Sequence, residues 1–509
     1  MDNNAFQRIL QGAGFIFLGN IIGMGSSFVM RLTSARFLGS EIYGYIVLGL
    51  SVVSICSIFA LMGINMGITQ QLPRVEKQKQ LYGISLGIVL ILSLLLVTFL
   101  RIGAYPISMA IADAQFQTVF QFFTLAIPFV AIIRLTSGTF RGIEDPIGKV
   151  IVSDFLYRGG TAAVVTVSAF IGVSAVKVSQ AWFVTMALIA LFGIGLLVIR
   201  TNWNVCIPLK LYNRSVGLSK HVRIYFELNQ NLSYSLLLLS FPLMFSESLR
   251  LVLKQSDNFL VGYFLDSSSV GIYDAAFTLS QSVNVVAATF GFLLLPVLSD
   301  LHAQSKFSQM AVAYQRVTKW IVLTSLPFYL IIVSFPNKVM GLIFGPEYVI
   351  GGTPLVFVAT GFYAHLLLGL NGQGLTAIGE TRVIPIGNMI SILVNIPLNV
   401  FLIPIYDITG AAIASAISYV ALNIFFTVVL YNRSGLQPFS KQLFYILVTG
   451  SVLYGGLAIS VTNFYDEFTA ILITVAIFIP LYLFISYRIG MTKSDLKLLQ
   501  ETLPDGVSK

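Results

Sequence analysis

Residues 81–100 read LYGISLGIVLILSLLLVTFL, a run that contains no charged side chain. A helix needs about 20 mostly apolar residues to cross the hydrocarbon core of a bilayer, so this stretch has the length and composition of a transmembrane span. Thirteen further stretches have the same character. The sequence therefore predicts fourteen membrane-spanning helices, at residues 9–30, 43–68, 81–100, 116–133, 150–173, 178–199, 232–253, 270–298, 320–335, 355–375, 383–402, 410–430, 444–461 and 468–485.

The composition of the whole chain agrees with an all-α integral membrane protein. Of the 509 residues, 56% are hydrophobic and only 10% are charged, whereas soluble globular proteins average about 45–50% and about 25%. Such a chain has too little polar surface to cover a soluble core. This excludes an ordinary soluble enzyme, a disulfide-stabilised secreted domain and a disordered protein.

The basic residues of the predicted loops are distributed unequally. Most of the 30 Lys and Arg residues fall on the side that holds both termini when fourteen spans are drawn. Because cytoplasmic loops carry the excess of Lys and Arg, the sequence predicts a multi-pass protein of the cell membrane with both termini in the cytoplasm. The basic loop 201–231 is interpreted either as a solvated linker or as a segment that grips anionic lipid headgroups.

Two sets of matching residues indicate an internal repeat. At a constant offset of 227 residues, the matched positions are Phe37 with Phe264, Leu38 with Leu265, Ser40 with Ser267 and Gly44 with Gly271. At an offset of 236 residues, Gly138 matches Gly374 and Glu144 matches Glu380. Each half holds six spans, an even number, so both halves have the same orientation in the membrane. Repeats of this kind are typical of transporters, in which the substrate path lies where the repeats meet.

The repeat divides the chain into four predicted segments. They are an N-terminal six-helix lobe at 1–200, a cytoplasmic basic linker at 201–231, a C-terminal six-helix lobe at 232–430, and two additional transmembrane helices with a cytoplasmic tail at 431–509.

Three short motifs relate the chain to a known family. They are Arg36-Phe37-Leu38-Gly39 followed by Tyr43-Gly44, the set Asp257, Gly262, Gly271 and Tyr273, and Phe344-Gly345-Pro346-Glu347-Tyr348. In these motifs, and in span count, length and repeat, the chain resembles the polysaccharide and oligosaccharide flippases of the multidrug/oligosaccharidyl-lipid/polysaccharide exporter superfamily.

The resemblance implies a fold and a function. It implies two six-helix lobes around a central cavity that opens alternately to either face of the membrane. It also implies movement of a polyprenyl- or dolichyl-phosphate-linked glycan to the outer leaflet, for surface polysaccharide or S-layer glycoprotein assembly. The expected partners are that lipid-linked glycan, membrane lipids and the glycosyltransferase, polymerase or oligosaccharyltransferase machinery, with no nucleic acid. The glycan, the carrier and the energy source stay open.

Charged residues within predicted spans are the candidate substrate-binding residues, because charges at membrane depth are costly and usually functional. Asp154 and Arg158 are four residues apart and share a helix face, so they form either a buried packing pair or a polar cavity wall in which Arg158 meets a phosphate. At the end of the first span, Arg31 is a candidate substrate contact. Arg36 is a further candidate that also suits an interfacial or motif position.

A second set of charges lies along the seventh span and its exit. Glu247, Arg250, Lys254 and Asp257 are spaced by 3, 4 and 3 residues, which places them on one helical face. The stripe is interpreted as the wall of a water-filled cavity or, alternatively, as a helix end that emerges into the headgroup region.

Three further features have two interpretations each. Asp274 and His365 are candidates for proton or sodium coupling, or packing residues. The sequence Gly19-Asn20-Ile21-Ile22-Gly23 places small residues four apart, which allows either close static packing of helices or a bend.

Catalysis is not indicated by the sequence. We find no G-x-x-x-x-G-K-[ST] phosphate loop, no H-E-x-x-H pair and no cysteine and histidine cluster, so neither a cofactor nor a metal site nor an enzyme is predicted. The alternatives to a flippase are a drug or cation exporter of the same superfamily, and an enzyme of surface-glycan assembly. A cation exporter needs a dominant carboxylate, and an assembly enzyme needs a large outer loop.

Overall fold

The computed structural model describes residues 3–201, 203, 230–462 and 467–490, and the secondary structure of these residues is helical. Each of the fourteen predicted spans falls on one helix or on consecutive helices. By length and composition, ten helices among the described residues are able to cross a membrane, and Val383–Ser434 holds two predicted spans. The first, seventh and fourteenth predicted spans fall on Asn3–Leu38, Gln230–Phe264 and Glu467–Ile485.

Residues Met1–Asp274 form one compact unit. A 3₁₀ turn lies at Leu72–Arg74, and a π-helix, π1, at Val150–Gly160. The α-helices of this unit are α1 (Asn3–Leu38), α2 (Ser40–Leu61), α3 (Ile64–Gln71), α4 (Gln78–Ile102), α5 (Ala104–Ile111), α6 (Phe116–Leu125), α7 (Ile127–Gly142), α8 (Pro146–Lys149), α9 (Thr161–Ile171), α10 (Ala175–Thr201), α11 (Gln230–Phe264) and the first half of α12 (Ser267–Gln281).

Residues Ala275–Lys509 form the second compact unit. It begins within α12 and has 3₁₀ turns at Ser282–Asn284 and Pro346–Gly351 and a π-helical end at Ser486–Gly490. Its further α-helices are α13 (Val285–Ala303), α14 (Phe307–Ser334), α15 (Pro336–Phe344), α16 (Gly352–Leu367), α17 (Asn371–Ala377), α18 (Val383–Ser434), α19 (Lys441–Thr462) and α20 (Glu467–Ile485).

Four predicted spans differ in detail from the helices observed. The span 43–68 is broken, because Met62 and Gly63 have φ angles of 45° and 75° and separate α2 from α3. The spans 383–402 and 410–430 are joined in α18 and are separated only by a kink at Asp407, whose φ is 51°. The ninth span begins at Phe307 rather than at residue 320, and Pro327 lies inside its helix.

The first pair of repeat segments meets at a close helix crossing in the first unit. A Cβ atom on Gly44 would lie 1.7 Å from the carbonyl oxygen of Ser267, and one on Gly271 would lie 2.2 Å from the carbonyl oxygen of Ser40. Ser268 Oγ donates a hydrogen bond to Ser40 Oγ at 2.7 Å. The matched residues of the repeat therefore exchange equivalent contacts, and only glycine allows the backbones this close.

The second pair of repeat segments forms equivalent turns, one residue out of the predicted register. The amide of Asp145 bonds to the carbonyl of Phe140 and that of Glu380 to the carbonyl of Leu375, the 6→1 hydrogen bond that ends many helices. Asp145 therefore corresponds to Glu380, where the sequence match places Glu144. Each acid pairs with an arginine near the end of its half, Arg200 at 3.8 Å and Arg433 at 3.5 Å.

The structure does not test the predicted segments, the basic linker or the sidedness of the termini. Helix α11 packs against α2, α3 and α5 within the first unit, although the repeat assigns it to the C-terminal lobe. The four predicted segments describe the repeat, and they remain a prediction. Most of the predicted basic linker 201–231 lies outside the described residues. The sidedness of the termini also remains a prediction.

Candidate functional site

A buried carboxylate joins three helices of the first unit. Asp274, on α12, has a side chain only 4% exposed and forms an ion pair with Arg31 of α1. Tyr43, in the first turn of α2, donates its hydroxyl hydrogen to the same Oδ2 atom at 2.5 Å. The Arg31 side chain keeps 27% of its surface exposed. The Arg31 side chain is therefore held by Asp274 and is not fully enclosed by the protein.

A second buried carboxylate lies in π1. Asp154 accepts a hydrogen bond from Lys149 Nζ at 2.5 Å and lies 3.7 Å from Arg158 Nη1. The predicted pairing of Asp154 with Arg158 is present, but Lys149 is the closer cation. Lys149 and Asp154 are both buried, whereas the Arg158 side chain is 40% exposed. One carboxylate thus faces two cations.

The small residues of α1 make room for this group. A Cβ atom on Gly19 would lie 3.1 Å from Asp154 Oδ2, and one on Gly23 would lie 2.7 Å from Arg158 Cδ. The spacing of these glycines therefore serves close packing of α1 against π1, one of the two interpretations of the sequence.

The predicted stripe on α11 separates into two parts. Arg250 pairs with Glu247 at 2.8 Å, with the arginine side chain 64% exposed, and Lys254 is also exposed. Asp257 is 2% exposed and accepts a hydrogen bond from Tyr273 at 2.7 Å. Three of the four residues are therefore accessible, while Asp257 joins α11 to α12. This hydrogen bond gives a physical reason why Asp257 and Tyr273 occur together in the family motif.

Lys254 connects these groups electrostatically. Its charge interacts with those of Arg31, Arg250, Asp274 and Arg158. The ion pairs among the described residues do not include Lys254. We define the cationic cluster as Arg31, Lys149, Arg158, Arg250 and Lys254, together with their acids Asp154, Glu247 and Asp274.

The cationic cluster has more positive than negative charges. Its five basic side chains face three carboxylates, and Lys254, Arg250, Arg158 and Arg31 are at least partly accessible. Arginine binds phosphate and carboxylate groups through paired hydrogen bonds, and lysine binds them as a point charge. The arrangement is chemically suited to holding an anion.

Two further candidates are not members of the cationic cluster as defined. Arg36 is exposed in the last turn of α1. His365 belongs to the second unit, where its Nδ1 atom is 2.6 Å from Oδ1 of Asn423.

Sequence reasoning missed Lys149 and both tyrosines as members of these contacts. Lys149 lies just outside the predicted span 150–173, and it reaches Asp154 five residues away because a π-helix places residues i and i+5 close together. Tyr43 and Tyr273 belong to the family motifs, which is a usable signal. Their hydroxyl partners are apparent only from the packing of the helices.

Comparison with known proteins identifies the family. The model of the polysaccharide biosynthesis protein family matches residues 9–302, and the MatE model matches residues 242–401. The chain is 26% identical over 160 residues to the probable low-salt glycan biosynthesis flippase Agl15 of Haloferax volcanii, covering 31% of this chain and 34% of the relative. It is 24% identical over 206 residues to an uncharacterized membrane protein of Methanocaldococcus jannaschii, covering 39% and 40%. These matches span well under half of either curated relative.

Solved structures show which fold the chain shares. The lipid II flippase MurJ in an inward closed conformation aligns with a TM-score of 0.74 at 13% identity, covering 92% of this chain and 97% of MurJ. An inward-facing multidrug resistance MATE family transporter aligns at 0.62 and 14% identity, covering 82% and 98%. A MOP superfamily transporter from Pyrococcus furiosus aligns at 0.53 and 14% identity, covering 83% and 95%.

The predicted fold class and family resemblance are both confirmed by these matches. The family model covers more than half of the 509 residues, and the helices carry the fold of MurJ and the MATE transporters. The chain therefore belongs to the polysaccharide biosynthesis protein family and is a multi-pass membrane protein with the helical fold of MurJ and the MATE transporters.

Proposed function

We propose that this protein is a flippase that moves a polyprenyl-phosphate- or diphosphate-linked oligosaccharide from the cytoplasmic to the outer leaflet by alternating access. Its product would serve surface polysaccharide or S-layer glycoprotein assembly. The observation that carries the proposal is the excess of accessible positive charge in the cationic cluster. The Haloferax volcanii relative is a probable low-salt glycan biosynthesis flippase, which supports the same class of function.

The chemistry of the substrate fits the cationic cluster. The headgroup of a lipid-linked glycan carries one or two phosphates, which pair with Arg and Lys side chains. The prenyl chain is apolar and stays in the bilayer, so only the headgroup needs a polar environment. Charges at membrane depth are retained where they serve a substrate path. Lys254 has the clearest role, because it is exposed and outside the ion pairs of the described residues.

The test is an assay of lipid sidedness in cells. Cells that lack the protein should accumulate sugar-charged carrier that an impermeant glycan-binding probe cannot reach in intact spheroplasts. Wild-type protein should restore its exposure, and Lys254→Gln should restore less than about a tenth of it, because removal of a phosphate contact weakens binding about tenfold or more.

Lys177→Gln is the matched control for this assay. It is the same change at an exposed lysine of the first unit that lies outside the cationic cluster. It should restore exposure fully, at equal protein abundance. If carrier levels and outer exposure are normal without the protein, and no second flippase is present, the proposed function is wrong.

A drug or cation exporter is the second candidate, and the MatE match over residues 242–401 favours it. The two functions require opposite charges in the site. Arg250→Glu should reduce exposure of the glycan carrier if the protein is a flippase. The same variant should preserve or increase efflux of a cationic dye if the protein is a cation exporter.

We infer that transport, not catalysis, is the activity, and that the protein acts in the cell membrane. The partners proposed are the polyprenyl- or dolichyl-linked glycan, the surrounding lipids and the enzymes that build and use this glycan. Affinity capture from detergent-solubilised membranes, with the Lys254→Gln variant in parallel, would show whether glycosyltransferases copurify. If no glycosyltransferase copurifies when the protein is present at its native abundance, the proposed enzyme partners are wrong.

A further inference from the structure

We propose that Asp274 is an internal counter-anion that a substrate phosphate replaces at Arg31, and that Tyr43 retains Asp274 during this exchange. The inference rests on the proposed function, since it names what the substrate phosphate displaces. It assigns a specificity role to Asp274 and a positioning role to Tyr43.

The geometry of Arg31 allows a second anion to compete for it. Asp274 contacts Nη1 of Arg31, while the Arg31 side chain remains 27% exposed. A guanidinium has five N–H donors in one plane, and a phosphate accepts two of them side by side, as a carboxylate does. Because the Arg31 side chain is only partly enclosed, we infer that an arriving phosphate competes with Asp274 for these donors.

The neighbouring charges determine which anion is preferred. Lys254 interacts electrostatically with both Arg31 and Asp274, and Arg250 acts on Lys254 as well. The attraction from several cations grows with the charge of the anion they face. A diphosphate carries more charge than the single carboxylate of Asp274, so the site should prefer a diphosphate while excluding weakly charged anions. Without substrate, Asp274 supplies the negative charge that a partly buried arginine needs.

Tyr43 makes the displacement of Asp274 feasible. Its hydroxyl donates to Oδ2 of Asp274, the same atom that Arg31 contacts. A buried carboxylate that loses a charged partner is costly unless another donor stays in place. Tyr43 remains hydrogen-bonded to Asp274 when Arg31 turns to the phosphate. The hydroxyl therefore lowers the cost of the exchange without touching the substrate.

The test measures binding to purified full-length protein in lipid nanodiscs. The probes are geranylgeranyl diphosphate and inorganic diphosphate, and thermal melting confirms that each variant is folded. Asp274→Asn removes the competing charge and should bind geranylgeranyl diphosphate about tenfold more tightly than wild type. Tyr43→Phe should bind it several-fold more weakly, because Asp274 then holds Arg31 more strongly.

The outcomes separate the exchange from the proposed function. Folded Asp274→Asn that binds as wild type does, or more weakly, overturns the exchange, because Asp274 then only positions Arg31. If Asp274→Asn does not fold, Tyr43→Phe decides, and unchanged or tighter binding by it overturns the proposal. If Asp274→Asn also binds inorganic diphosphate more tightly than wild type does, the exchange is supported, and the diphosphate group alone is sufficient for recognition.

The Lys254→Gln variant provides the last comparison. If wild type binds the prenyl probe and Lys254→Gln does not, while Asp274→Asn shows no gain, the exchange alone is refuted. If neither wild type nor any variant binds either probe, the anion-binding site of the proposed function is refuted together with the exchange.

Discussion

At the residue scale, each of the two buried acids, Asp154 and Asp274, lies against a basic side chain and a second polar or charged group. Asp154 lies between Lys149 and Arg158, and Asp274 accepts from Arg31 and Tyr43. An ionised carboxylate at membrane depth is costly unless nearby cations balance its charge. The carboxylates of Asp154 and Asp274 therefore explain how Arg31, Lys149 and Arg158 are kept within the helices of the first unit.

Replacement of Asp154 tests this account. Asp154→Asn leaves Lys149 and Arg158 without their carboxylate, and we expect it to destabilise the protein by about 3–5 kcal/mol, the usual effect of breaking a buried ion pair. Denaturation of the protein in detergent micelles, followed by size-exclusion chromatography, would measure the loss.

Glu247→Gln is the control for this measurement. It breaks the accessible pair with Arg250, whose side chain is 64% exposed, and accessible pairs contribute only about 0–1 kcal/mol. Equal effects of the two substitutions would show that Asp154 is not the centre of a buried charge group.

At the element scale, the crossing of α2 with α12 fixes the positions of the site residues. Tyr43 lies next to Gly44, and Asp274 lies one turn beyond Gly271, so the crossing sets the distance between the phenol and the carboxylate. The glycines allow the two backbones to meet at this point. The repeat in the sequence thus marks a packing element, which in turn positions the contacts of Asp274.

Gly44→Ala tests the importance of this crossing. The new Cβ would lie 1.7 Å from the carbonyl oxygen of Ser267, so the helices must separate, and we expect a loss of about 3 kcal/mol or more. The thermal midpoint of the purified variant would report it.

Gly25→Ala is the matched control, because nothing lies within 4 Å of the position where its Cβ would be. Alanine is favoured over glycine inside a helix by about 1 kcal/mol, so this variant should be neutral or more stable. A Gly44→Ala variant as stable as Gly25→Ala would contradict the close crossing.

At the scale of the whole molecule, the charge distribution predicts how the protein is oriented in its membrane. With fourteen spans and the excess of Lys and Arg on the cytoplasmic side, residue 441 is predicted to lie in the cytoplasm and residue 177 outside. Both positions carry exposed lysines in the structure. The orientation decides which leaflet delivers the substrate, so it bears directly on the proposed direction of transport.

Cysteine labelling would establish the orientation. In a background without Cys56 and Cys206, a cysteine at Lys177 should react with an impermeant maleimide in intact cells. A cysteine at Lys441 should react only after permeabilisation. The reverse pattern would invert the topology, and labelling of both from outside would show that a span has been miscounted.

The sequence by itself determined the membrane class, the location of the spans and the repeat. These depend on hydropathy and on short motifs, which are local properties of the chain, so each predicted span was found on helices. Local periodicity also predicted the proximity of Asp154 to Arg158, because four residues bring side chains to one helix face.

Only the tertiary structure decided which charges meet. Arg31 and Asp274 are 243 residues apart, and no periodic pattern connects them. Lys149 reaches Asp154 through a π-helix, and Asp257 is removed from the accessible stripe of α11 by its hydrogen bond to Tyr273. Hydropathy selects the segments that enter the bilayer, but a buried charge is balanced by whichever partner the packing of helices brings within reach.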